Sequence, residues 1–487
     1  MTNDADVLII GAGAAGLAAA RALAAAGLAV TILEARDRIG GRIHTLHDPL
    51  SPLPIELGAE FIHGRPPETL EIVEKDRLEL ADVSNRHWFL RNGIITDSSD
   101  FWSELEDVME QMKHAPAGDQ SFAEFLERYC RKHDLGEAKV IARLFVEGFH
   151  AADSERISVL GLNKVNEATD SIDGERAFRL PSGYDQIVRS IYDDAVSHGA
   201  QIHLNTVVEE VNWRRHAVEV TSAGSAGILP ANAPKGAQMP SAESFPEVFS
   251  RSALIAGKMP ALPARPGPLR AKRLLVTLPL GVMQADLHET GSVRFLPRLE
   301  EKEQAARKLA MGDAVRLILR FREPFWEGLE LKTKGGPTEN LSKLAFIHSP
   351  EMSIPTWWTQ SPTRAPLLVG WMGGPSAERL TGESQDALTN RGLESLAAIL
   401  GLSRSVLEEQ MEDSFTYNWR GDPFSRGSYS YIPVGGLEAP AQLAKSVDDT
   451  LFFAGEATNT AGHSGTVHGA IASGIRAAQE IIASDKQ

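Results

Sequence analysis

The sequence predicts an α/β fold, α+β overall, with a Rossmann-like dinucleotide-binding domain beside a second domain of mixed sheet and helices. Near the N-terminus an apolar strand, Val7–Ile10, runs into a glycine-rich turn and an alanine-rich helix. The strand that follows ends at an acidic residue, Glu34. From residue 451 onward the chain repeats the order of strand, glycine-rich turn and helix. This arrangement is typical of a parallel sheet that binds a dinucleotide at the carboxyl ends of its strands.

Size and composition exclude several classes of protein. A chain of 487 residues with 43% hydrophobic content exceeds what one core usually holds, so two domains are expected. The formal net charge of -16 argues against binding to nucleic acid or to an anionic membrane. The single cysteine, Cys130, allows no disulfide within the chain and no cysteine zinc site, which fits a reducing compartment. We expect a protein that needs no metal.

The beginning of the chain shows no targeting signal. The polar residues 1–6 lead directly into the first strand, without a basic start or an apolar run that ends in a cleavage site. No apolar stretch approaches the roughly 20 residues that span a bilayer. We therefore expect a cytoplasmic protein.

The glycine-rich turn after the first strand has the spacing of a phosphate-binding loop. Its glycines allow a tight turn, and they let backbone N–H groups and a helix N-terminus face a pyrophosphate. Glu34 is placed to accept hydrogen bonds from ribose hydroxyls, which suits an adenosine without a 2′-phosphate. The residues expected at the pyrophosphate are Gly11, Gly13, Ala14, Ala15 and Gly16.

The middle of the chain divides into four passages. Residues 71–168 are predicted to form a separate, mainly helical region, and an αβ passage follows from Gly183. Residues 222–270 hold eight of the 27 prolines and predict a disordered insertion, either idle on the surface or able to recruit a partner. Residues 294–400 alternate strands and helices, as expected of a substrate-domain sheet, and contain Trp326, Trp357, Trp358 and Trp371.

The segment after the second strand, Glu34-Ala35-Arg36-Asp37-Arg38-Ile39-Gly40-Gly41-Arg42, resembles the flavin-containing amine oxidases. The resemblance implies FAD as the cofactor, with Ala35, Arg36 and Gly41 near the dinucleotide and Arg42 reaching the phosphates. An arginine suits that role because its planar fork binds phosphate oxygens and stays charged. The resemblance continues in residues 56–64, 207–209, 277–282, 323–326, 419–431 and 453–458. It therefore covers almost the whole chain outside the insertion.

Further cofactor contacts follow from the same resemblance. Gly58, Ala59 and Glu60 match a segment that passes the flavin ring, and Val208 matches the strand whose backbone recognises adenine. Trp419 and Gly455 belong to further matching motifs and are expected at the cofactor, and Glu456 matches a position close to the ribityl and pyrophosphate linkage. Thr466 and Val467 open a helix whose positive end would face the flavin. Where some relatives have a cysteine that binds the flavin covalently, this chain has Ser428, so FAD is expected to bind without a covalent link.

Candidate catalytic residues come from the substrate side of the same motifs. Tyr429 matches one wall of the aromatic cage that flanks the amine, and Thr466 stands where monoamine oxidases have the second wall. The string Thr466-Val467-His468-Gly469-Ala470 is closer to polyamine oxidases and histone-lysine demethylases. His63 is a candidate substrate contact or proton carrier. Glu60 could bind a distal ammonium or be a buried carboxylate held by backbone.

Arg316 departs from the family pattern. The family usually has a lysine at this position that holds a water against the flavin and aids reaction with oxygen. Arginine cannot share the tunable pKa of lysine. Three interpretations remain open: an oxidase that tolerates arginine, a dehydrogenase with another acceptor, or a pocket in which Arg316 binds a substrate carboxylate.

The resemblance implies a discontinuous FAD-binding domain (residues 1–78, 182–284 and 412–487) and a substrate domain (79–181 and 285–411). It implies oxidation of a small-molecule amine by hydride transfer to the flavin, with oxygen as the acceptor and hydrogen peroxide as a product. The alternatives are a related flavoenzyme that acts on an amino acid or a non-amine substrate, and a flavin-binding scaffold that has lost catalysis.

Overall fold

A computed structural model describes residues 4–84, 86–91, 94–96, 98–113, 118–129, 136–223 and 267–485. Residues 224–266, which make up most of the predicted insertion, lie outside the described residues, as does Cys130. Within the described ranges, no helix combines the length and the apolar character that crossing a membrane would require.

The described chain contains fourteen α-helices and twenty-five strands. The helices are α1 (Ala14–Ala25), α2 (Pro67–Asp76), α3 (Ser98–Lys113), α4 (Phe122–Tyr129), α5 (Gly136–His150), α6 (Val159–Asp170), α7 (Asp185–Ser197), α8 (Leu280–Met283), α9 (Glu300–Arg307), α10 (Gly374–Glu378), α11 (Gln385–Leu400), α12 (Arg404–Gln410), α13 (Ala439–Ala444) and α14 (Val467–Asp485). Short 3₁₀ helices lie at Phe325–Gly328, Leu341–Lys343 and Glu456–Thr458.

The strands fall into several sheets. They are β1 (Val7–Ile10), β2 (Val30–Leu33), β3 (Thr45–Leu46), β4 (Ile55–Glu56), β5 (Ile62–His63), β6 (Ala81–Asp82), β7 (His87–Arg91), β8 (Ile94–Thr96), β9 (Ala177–Arg179), β10 (Gln201–His203), β11 (Val207–Arg214), β12 (Ala217–Ala223), β13 (Leu269–Ala271), β14 (Arg273–Val276), β15 (Arg294–Leu296), β16 (Ala310–Met311), β17 (Ala314–Phe321), β18 (Glu330–Thr333), β19 (Glu339–Asn340), β20 (Phe346–His348), β21 (Thr356–Trp358), β22 (Leu367–Gly373), β23 (Met411–Thr416), β24 (Ser430–Tyr431) and β25 (Leu451–Phe453).

A parallel sheet confirms the predicted dinucleotide-binding fold. Its order is β10-β2-β1-β14-β25, and each pairing is parallel. Four of its strands, β1, β2, β14 and β25, are buried along their whole length, because α1, α7 and α14 cover one face and further strands pack on the other. The carboxyl ends of β1, β14 and β25 therefore meet at one edge, where Gly11, Thr277 and Gly455 follow the sheet.

A nine-stranded sheet forms the second core. Its order is β19-β18-β8-β7-β20-β21-β22-β17-β23, and its long central strands β22 and β17 are antiparallel. Trp357 is fully buried between this sheet and α11. All eight residues of β17 are buried. One face packs Val315, Leu317, Leu319 and Phe321 into the apolar core, and the other face buries Arg316 and Arg320 as ion pairs.

The region predicted as mainly helical, residues 71–168, also contains strands. β7 and β8 form an antiparallel hairpin that belongs to the nine-stranded sheet. The strand-forming aromatic residues 88 and 89 outweigh the helical pattern of the flanking segments. A sequence signal was present, since Asn92-Gly93 between the two strands is the preferred dipeptide of a two-residue hairpin turn.

Strand pairing crosses two of the expected domain boundaries. β15 pairs with β11 although it follows the predicted end of the FAD-binding segment at residue 284, and β23 pairs with β17 although it was placed in the last FAD-binding segment. In both cases the strand joins a sheet through hydrogen bonds to a partner strand from the other expected domain, and the sequence alone does not show such pairing. At the two ends of the predicted 222–270 insertion the chain is still regular, because β12 continues to Ala223 and β13 begins at Leu269.

Candidate active site

One large cavity connects the edge of the parallel sheet with the nine-stranded sheet. Its volume is about 1250 Å³, which exceeds the roughly 300–1,000 Å³ typical of a pocket for one small ligand. One end is lined by the glycine-rich turn after β1, and the other by β7, β20, β22 and α5. The cavity therefore has room for a dinucleotide and a second molecule beside it.

The turn after β1 is shaped by its glycines. Gly11 has a φ of +102°, a conformation that disfavours other residues, and a Cβ on Gly16 would lie 2.0 Å from the carbonyl oxygen of Gly11. Gly13 differs from both, since a Cβ at that position would meet nothing within 4 Å. Gly13, Ala14 and Ala15 line the cavity, so the space beside Gly13 belongs to the cavity itself.

The carboxylate of Glu34 is buried and held by backbone donors. Its Oε2 accepts a hydrogen bond from the N–H of Ala12 at 2.7 Å, and its Oε1 accepts one from the N–H of Arg36 at 2.9 Å. Each carboxylate oxygen keeps a second lone pair, and Glu34, Ala35 and Val208 all line the cavity. Glu34 is thus a fixed carboxylate with acceptor capacity left at the cavity wall.

Both arginines of the predicted cofactor set are held in place by carboxylates. The guanidinium of Arg36 contacts Asp422 at 2.9 Å, and that of Arg42 contacts Glu456 at 2.9 Å. Arg42 also donates to the carbonyl oxygen of Ser428 at 2.7 Å. Since both arginines line the cavity, these acids fix the guanidinium groups before any anion binds.

Backbone conformation at Gly41 and a close backbone neighbour at Gly58 explain two further glycines of the predicted cofactor set. Gly41 has a φ of +59° and lies against Gly13, and a Cβ on Gly58 would lie 2.0 Å from the carbonyl oxygen of Arg42. The indole of Trp419 donates to the carbonyl oxygen of Leu57 at 3.0 Å, which anchors the segment that carries Ala59 along the cavity wall.

The last part of the predicted cofactor set lies at the start of α14. Gly455 has a φ of +122°, and the carboxylate of Glu456 accepts from the hydroxyl of Ser430 at 2.6 Å and from the N–H of Gly465 at 2.9 Å. The hydroxyl of Thr466 donates to the carbonyl oxygen of His463 and accepts from the N–H of Gly469. Thr466 therefore caps α14, and Val467 places the helix N-terminus at the cavity.

Tyr429 faces the cavity as a neutral phenol. Its hydroxyl donates to the carbonyl oxygen of Phe149 at 2.8 Å, and burial raises the pKa of Tyr429 above its usual value. Phe149 keeps 46% of its surface exposed although it lines the cavity, and its ring meets His63 edge-on at 5.3 Å. The structure thus brings Tyr429 and His63 together around Phe149, which the sequence analysis missed.

Arg316 occupies a closed site. Its guanidinium lies between the rings of Trp358 and Trp371, at 5.4 and 5.5 Å from their centres. It pairs with Glu60 at 3.0 Å and donates to the carbonyl oxygen of Glu56 at 2.9 Å. Only 7% of Arg316 is exposed, so its guanidinium is enclosed and paired before any ligand arrives.

Glu60 is held by side chains rather than by backbone. It accepts from Arg179 at 2.7 Å and from the indole of Trp358 at 3.2 Å, in addition to its pairing with Arg316. Two arginines already share this carboxylate, so the suggestion that Glu60 binds a distal ammonium is not supported by the geometry. No local sequence signal links these residues, because Glu60 and Arg179 are 119 positions apart.

Histidines along the cavity are kept neutral. Burial lowers the pKa of His63, His87 and His150 to about 4. Burial, followed by the nearby rings of His463 and His63, lowers the pKa of His468 to about 3, and the pKa of His348 also lies well below its ordinary value. At neutral pH these rings therefore offer one donor and one acceptor nitrogen each.

The neutral histidines predict acid sensitivity. Between pH 6.5 and about 4 the unfolded chain binds protons at these imidazoles while the folded protein does not, so stability falls as the pH is lowered through this window. Each histidine contributes a slope of up to about 1.4 kcal/mol per pH unit. Glu56 acts in the opposite direction, since burial raises its pKa to about 8. Denaturant unfolding at a series of pH values measures the net slope of the free energy of unfolding against pH. A flat profile from pH 6.5 to 4 would contradict the conclusion that these histidines are buried in the neutral form.

The residues at this end of the cavity fit a dinucleotide with an anionic linkage. Gly13 leaves open space at the end of β1, Glu34 supplies a fixed acceptor, and Arg42 supplies a fixed cation. The described residues contain no group of metal ligands. A dinucleotide crevice that opens into an aromatic pocket defines the class: an oxidoreductase with a dinucleotide cofactor.

Comparison with known proteins narrows this class. The family described as flavin-containing amine oxidoreductases matches residues 14–233 and 262–482, which is most of the chain. The chain therefore belongs to this family: it is an enzyme that uses FAD to oxidise amines.

Individual relatives agree with the family. Polyamine oxidase 3 of Oryza sativa subsp. japonica is 27% identical over 98% of this chain and 88% of its own length. Lysine-specific histone demethylase 1 homolog 2 of Arabidopsis thaliana is 28% identical over 99% of this chain, which spans only 59% of that protein. Among solved structures, cyclohexylamine oxidase from Brevibacterium oxydans IH-35A superimposes with a TM-score of 0.73 at 19% identity, covering 99% of this chain and 100% of that chain. That likeness establishes the shared fold.

Proposed function

We propose that the enzyme oxidises an alkyl amine that carries no carboxylate, with oxygen as the electron acceptor and hydrogen peroxide as a product. The observation that carries this proposal is the pairing of Arg316 with Glu60. A substrate carboxylate needs a cation that it can reach, and the guanidinium of Arg316 is buried, paired with Glu60 and enclosed by two tryptophans. This favours an amine over an amino acid.

FAD would bind along the predicted cofactor residues. Gly11, Gly13 and Gly16 would cradle the pyrophosphate, Glu34 would accept from the ribose, and Arg42 would contact the phosphates. When bound, FAD accepts a hydride from the carbon next to the substrate nitrogen. Binding is proposed to be non-covalent, because the residue matching the attachment position is Ser428 and not a cysteine.

The aromatic pocket is proposed to orient and desolvate the amine. Tyr429 and Phe149 present ring surfaces, and the hydrogen bond between them holds α5 against the loop that carries Tyr429. The neutral imidazole of His63 borders the same pocket and adds no charge that would repel a cationic substrate. These groups position the substrate and exclude water, which are the protein's contributions in a cofactor-dependent reaction.

A polyamine is the favoured substrate. Exposed carboxylates on α3, α6 and the following turn line the mouth of the cavity: Glu106, Glu110, Asp170 and Glu175. One cation, Lys113, also lines the mouth and pairs with Glu110 at 3.1 Å. The excess of negative charge would attract a substrate with several ammonium groups. Similarity to a polyamine oxidase over almost the whole chain supports the same class.

An anaerobic screen tests the substrate. The FAD-loaded enzyme is mixed with putrescine, spermidine, spermine, aryl monoamines and L-amino acids, and the loss of oxidised flavin absorbance is followed. We expect the polyamines to reduce the flavin fastest and the amino acids not to reduce it. Rapid reduction by an amino acid would overturn the proposal.

The electron acceptor requires a separate measurement. Peroxide released per amine oxidised is expected to be stoichiometric in air, and turnover that needs an added acceptor would identify a dehydrogenase. An Arg316→Lys variant tests the role of the guanidinium, since lysine has a tunable pKa that arginine lacks. Faster flavin reoxidation in this variant would show that Arg316 limits the oxygen reaction.

Two substitutions at Tyr429 are expected to separate the role of its hydroxyl from the role of its ring. Tyr429→Phe removes only the hydrogen bond to Phe149, so we expect a loss of about 1 kcal/mol in stability and a small change in kcat/KM. Tyr429→Ala also removes the ring, and we expect kcat/KM to fall by roughly 10²-fold, mainly through substrate positioning. Steady-state kinetics of both variants measure the difference, and equal kcat/KM values for the two would show that the ring is not part of the pocket.

A further inference from the structure

His463 and His468 form a hydrogen-bonded pair that the preceding account does not use. His468 lies in the first turn of α14 with 7% of its surface exposed, and His463 lies half-buried in the loop before that helix. Nε2 of His468 is 3.2 Å from Nδ1 of His463, and the ring centres are 4.8 Å apart at 72°. Both rings line the cavity, so the pair connects the cavity with the loop.

The loop holds His463 in a defined position. The side-chain oxygen of Asn459 accepts from the N–H groups of Ala461 and His463, at 2.9 and 3.1 Å. The carbonyl oxygen of His463 accepts from Thr466, and a Cβ on Gly469 would lie 1.9 Å from that oxygen. Only glycine permits this close approach between the loop and α14. The two imidazoles are therefore preorganised by backbone contacts.

Titratable groups lie on both sides of the pair. His63 ends β5, and the chain then enters α2, which packs against α14 and carries Glu68. Burial and then the rings of His463 and His63 lower the pKa of His468. Burial lowers the pKa of His463, while the carboxylate of Glu68 acts to raise it. A proton is thus less favourable on His468 than on His463, which gives the pair a direction.

Amine oxidation creates a need for such a pair. An alkyl amine resembles the lysine side chain, whose pKa is about 10.4, so it arrives as an ammonium ion. Its nitrogen lone pair must be free before the neighbouring carbon can give up a hydride. Glu60 is occupied by two arginines, and Tyr429 donates its proton to a carbonyl oxygen, so neither is placed to accept this proton.

We propose that His468 and His463 form a proton relay that removes the ammonium proton of the bound substrate from the cavity. The inference rests on the amine-oxidising function proposed above. The N–H bond of the ammonium breaks, its electron pair stays on nitrogen, and the proton bonds to Nδ1 of His468. The proton on Nε2 of His468 passes to Nδ1 of His463, and the proton on Nε2 of His463 passes to water on the side of Glu68. No electrons are transferred in these steps.

Two variants interrupt the relay, and a third serves as a control. His468→Asn removes the cavity end and His463→Asn removes the half-exposed end, while His288→Asn removes an exposed histidine outside the cavity. Single-turnover flavin reduction by spermine is followed without oxygen, in H₂O and in D₂O. We expect the rate to fall by roughly 10²-fold in both relay variants and to stay unchanged in the control. Added imidazole is expected to restore part of the rate.

Other readouts separate a relay from a merely structural role. Retained FAD, measured as flavin per polypeptide, shows that a variant is folded, and His463→Asn carries the test if His468→Asn fails to fold. Nitrogen NMR of the wild-type rings is expected to show a proton shared between Nε2 of His468 and Nδ1 of His463. Relay variants reduced by spermine at the wild-type rate, with an unchanged solvent isotope effect, would overturn the relay while amine oxidation stands. Failure of every amine to reduce wild-type flavin would instead remove the proposed function and the relay with it.

Discussion

A valine at Gly13 is expected to empty the protein of FAD while leaving its fold intact. Gly13 has a φ of -77°, which any residue can adopt, and a Cβ there would meet no atom within 4 Å. A Cβ at this position therefore causes no clash within the chain, and the valine side chain would extend into the space where we propose that the pyrophosphate binds. We expect FAD affinity to weaken at least about 100-fold, which corresponds to about 2.7 kcal/mol.

Valine substitutions at two other glycines serve as comparison variants. Gly16→Val would place a Cβ 2.0 Å from the carbonyl oxygen of Gly11, so we expect loss of both FAD binding and stability. Gly328→Val meets nothing within 4 Å and lies outside the cavity, so both properties should be retained. Flavin fluorescence titration measures affinity, and thermal unfolding of the apoproteins measures stability. Normal FAD affinity in Gly13→Val would show that the pyrophosphate lies elsewhere.

Replacing Arg316 with methionine is expected to cost about 3 kcal/mol of folding stability, because the buried ion pair with Glu60 and the hydrogen bond to the carbonyl oxygen of Glu56 are both lost. Glu60 would keep Arg179 as its partner, but it would lose the guanidinium at 3.0 Å. A second substitution, Glu60→Gln, should cost further stability in the Arg316→Met background, since it leaves the buried guanidinium of Arg179 without its carboxylate partner. Denaturant unfolding of the two single variants and the double variant measures the coupling.

A surface pair provides the matched control for Arg316. Arg364 pairs with Glu327 at 3.0 Å, but 70% of the arginine side chain is exposed. Arg364→Met should therefore change stability by less than about 1 kcal/mol. Equal destabilisation by Arg316→Met and Arg364→Met would mean that the buried pair has no special role.

The first strands and the cofactor turn were predictable because their signals are local. The strands Val7–Ile10 and Val30–Leu33, with the glycine turn between them, follow from an apolar run and from glycine spacing within a few residues. The same locality explains the start of α14, where Thr466 supplies a helix cap. Such features depend on backbone conformations that neighbouring residues determine.

The substrate side was less predictable because it depends on contacts between distant segments. The sequence marked Arg316 as unusual, but its enclosure by Glu60, Trp358 and Trp371 arises only when strands from separate parts of the chain meet. Phe149 has no motif, since an apolar residue on a helix is usually a core residue. Its exposure to the cavity appears only when α5 packs beside Tyr429.

The most direct test of the account compares two substrates that differ by one carboxylate. Cadaverine and L-lysine share the same carbon chain and terminal ammonium, and L-lysine adds the carboxylate that Arg316 is proposed not to bind. Each is mixed without oxygen with the FAD-loaded enzyme, and the rate of flavin reduction is measured. The account predicts that cadaverine reduces the flavin and that L-lysine does so at least about 100-fold more slowly, a difference of about 2.7 kcal/mol in the barrier. Equal rates, or faster reduction by L-lysine, would contradict it.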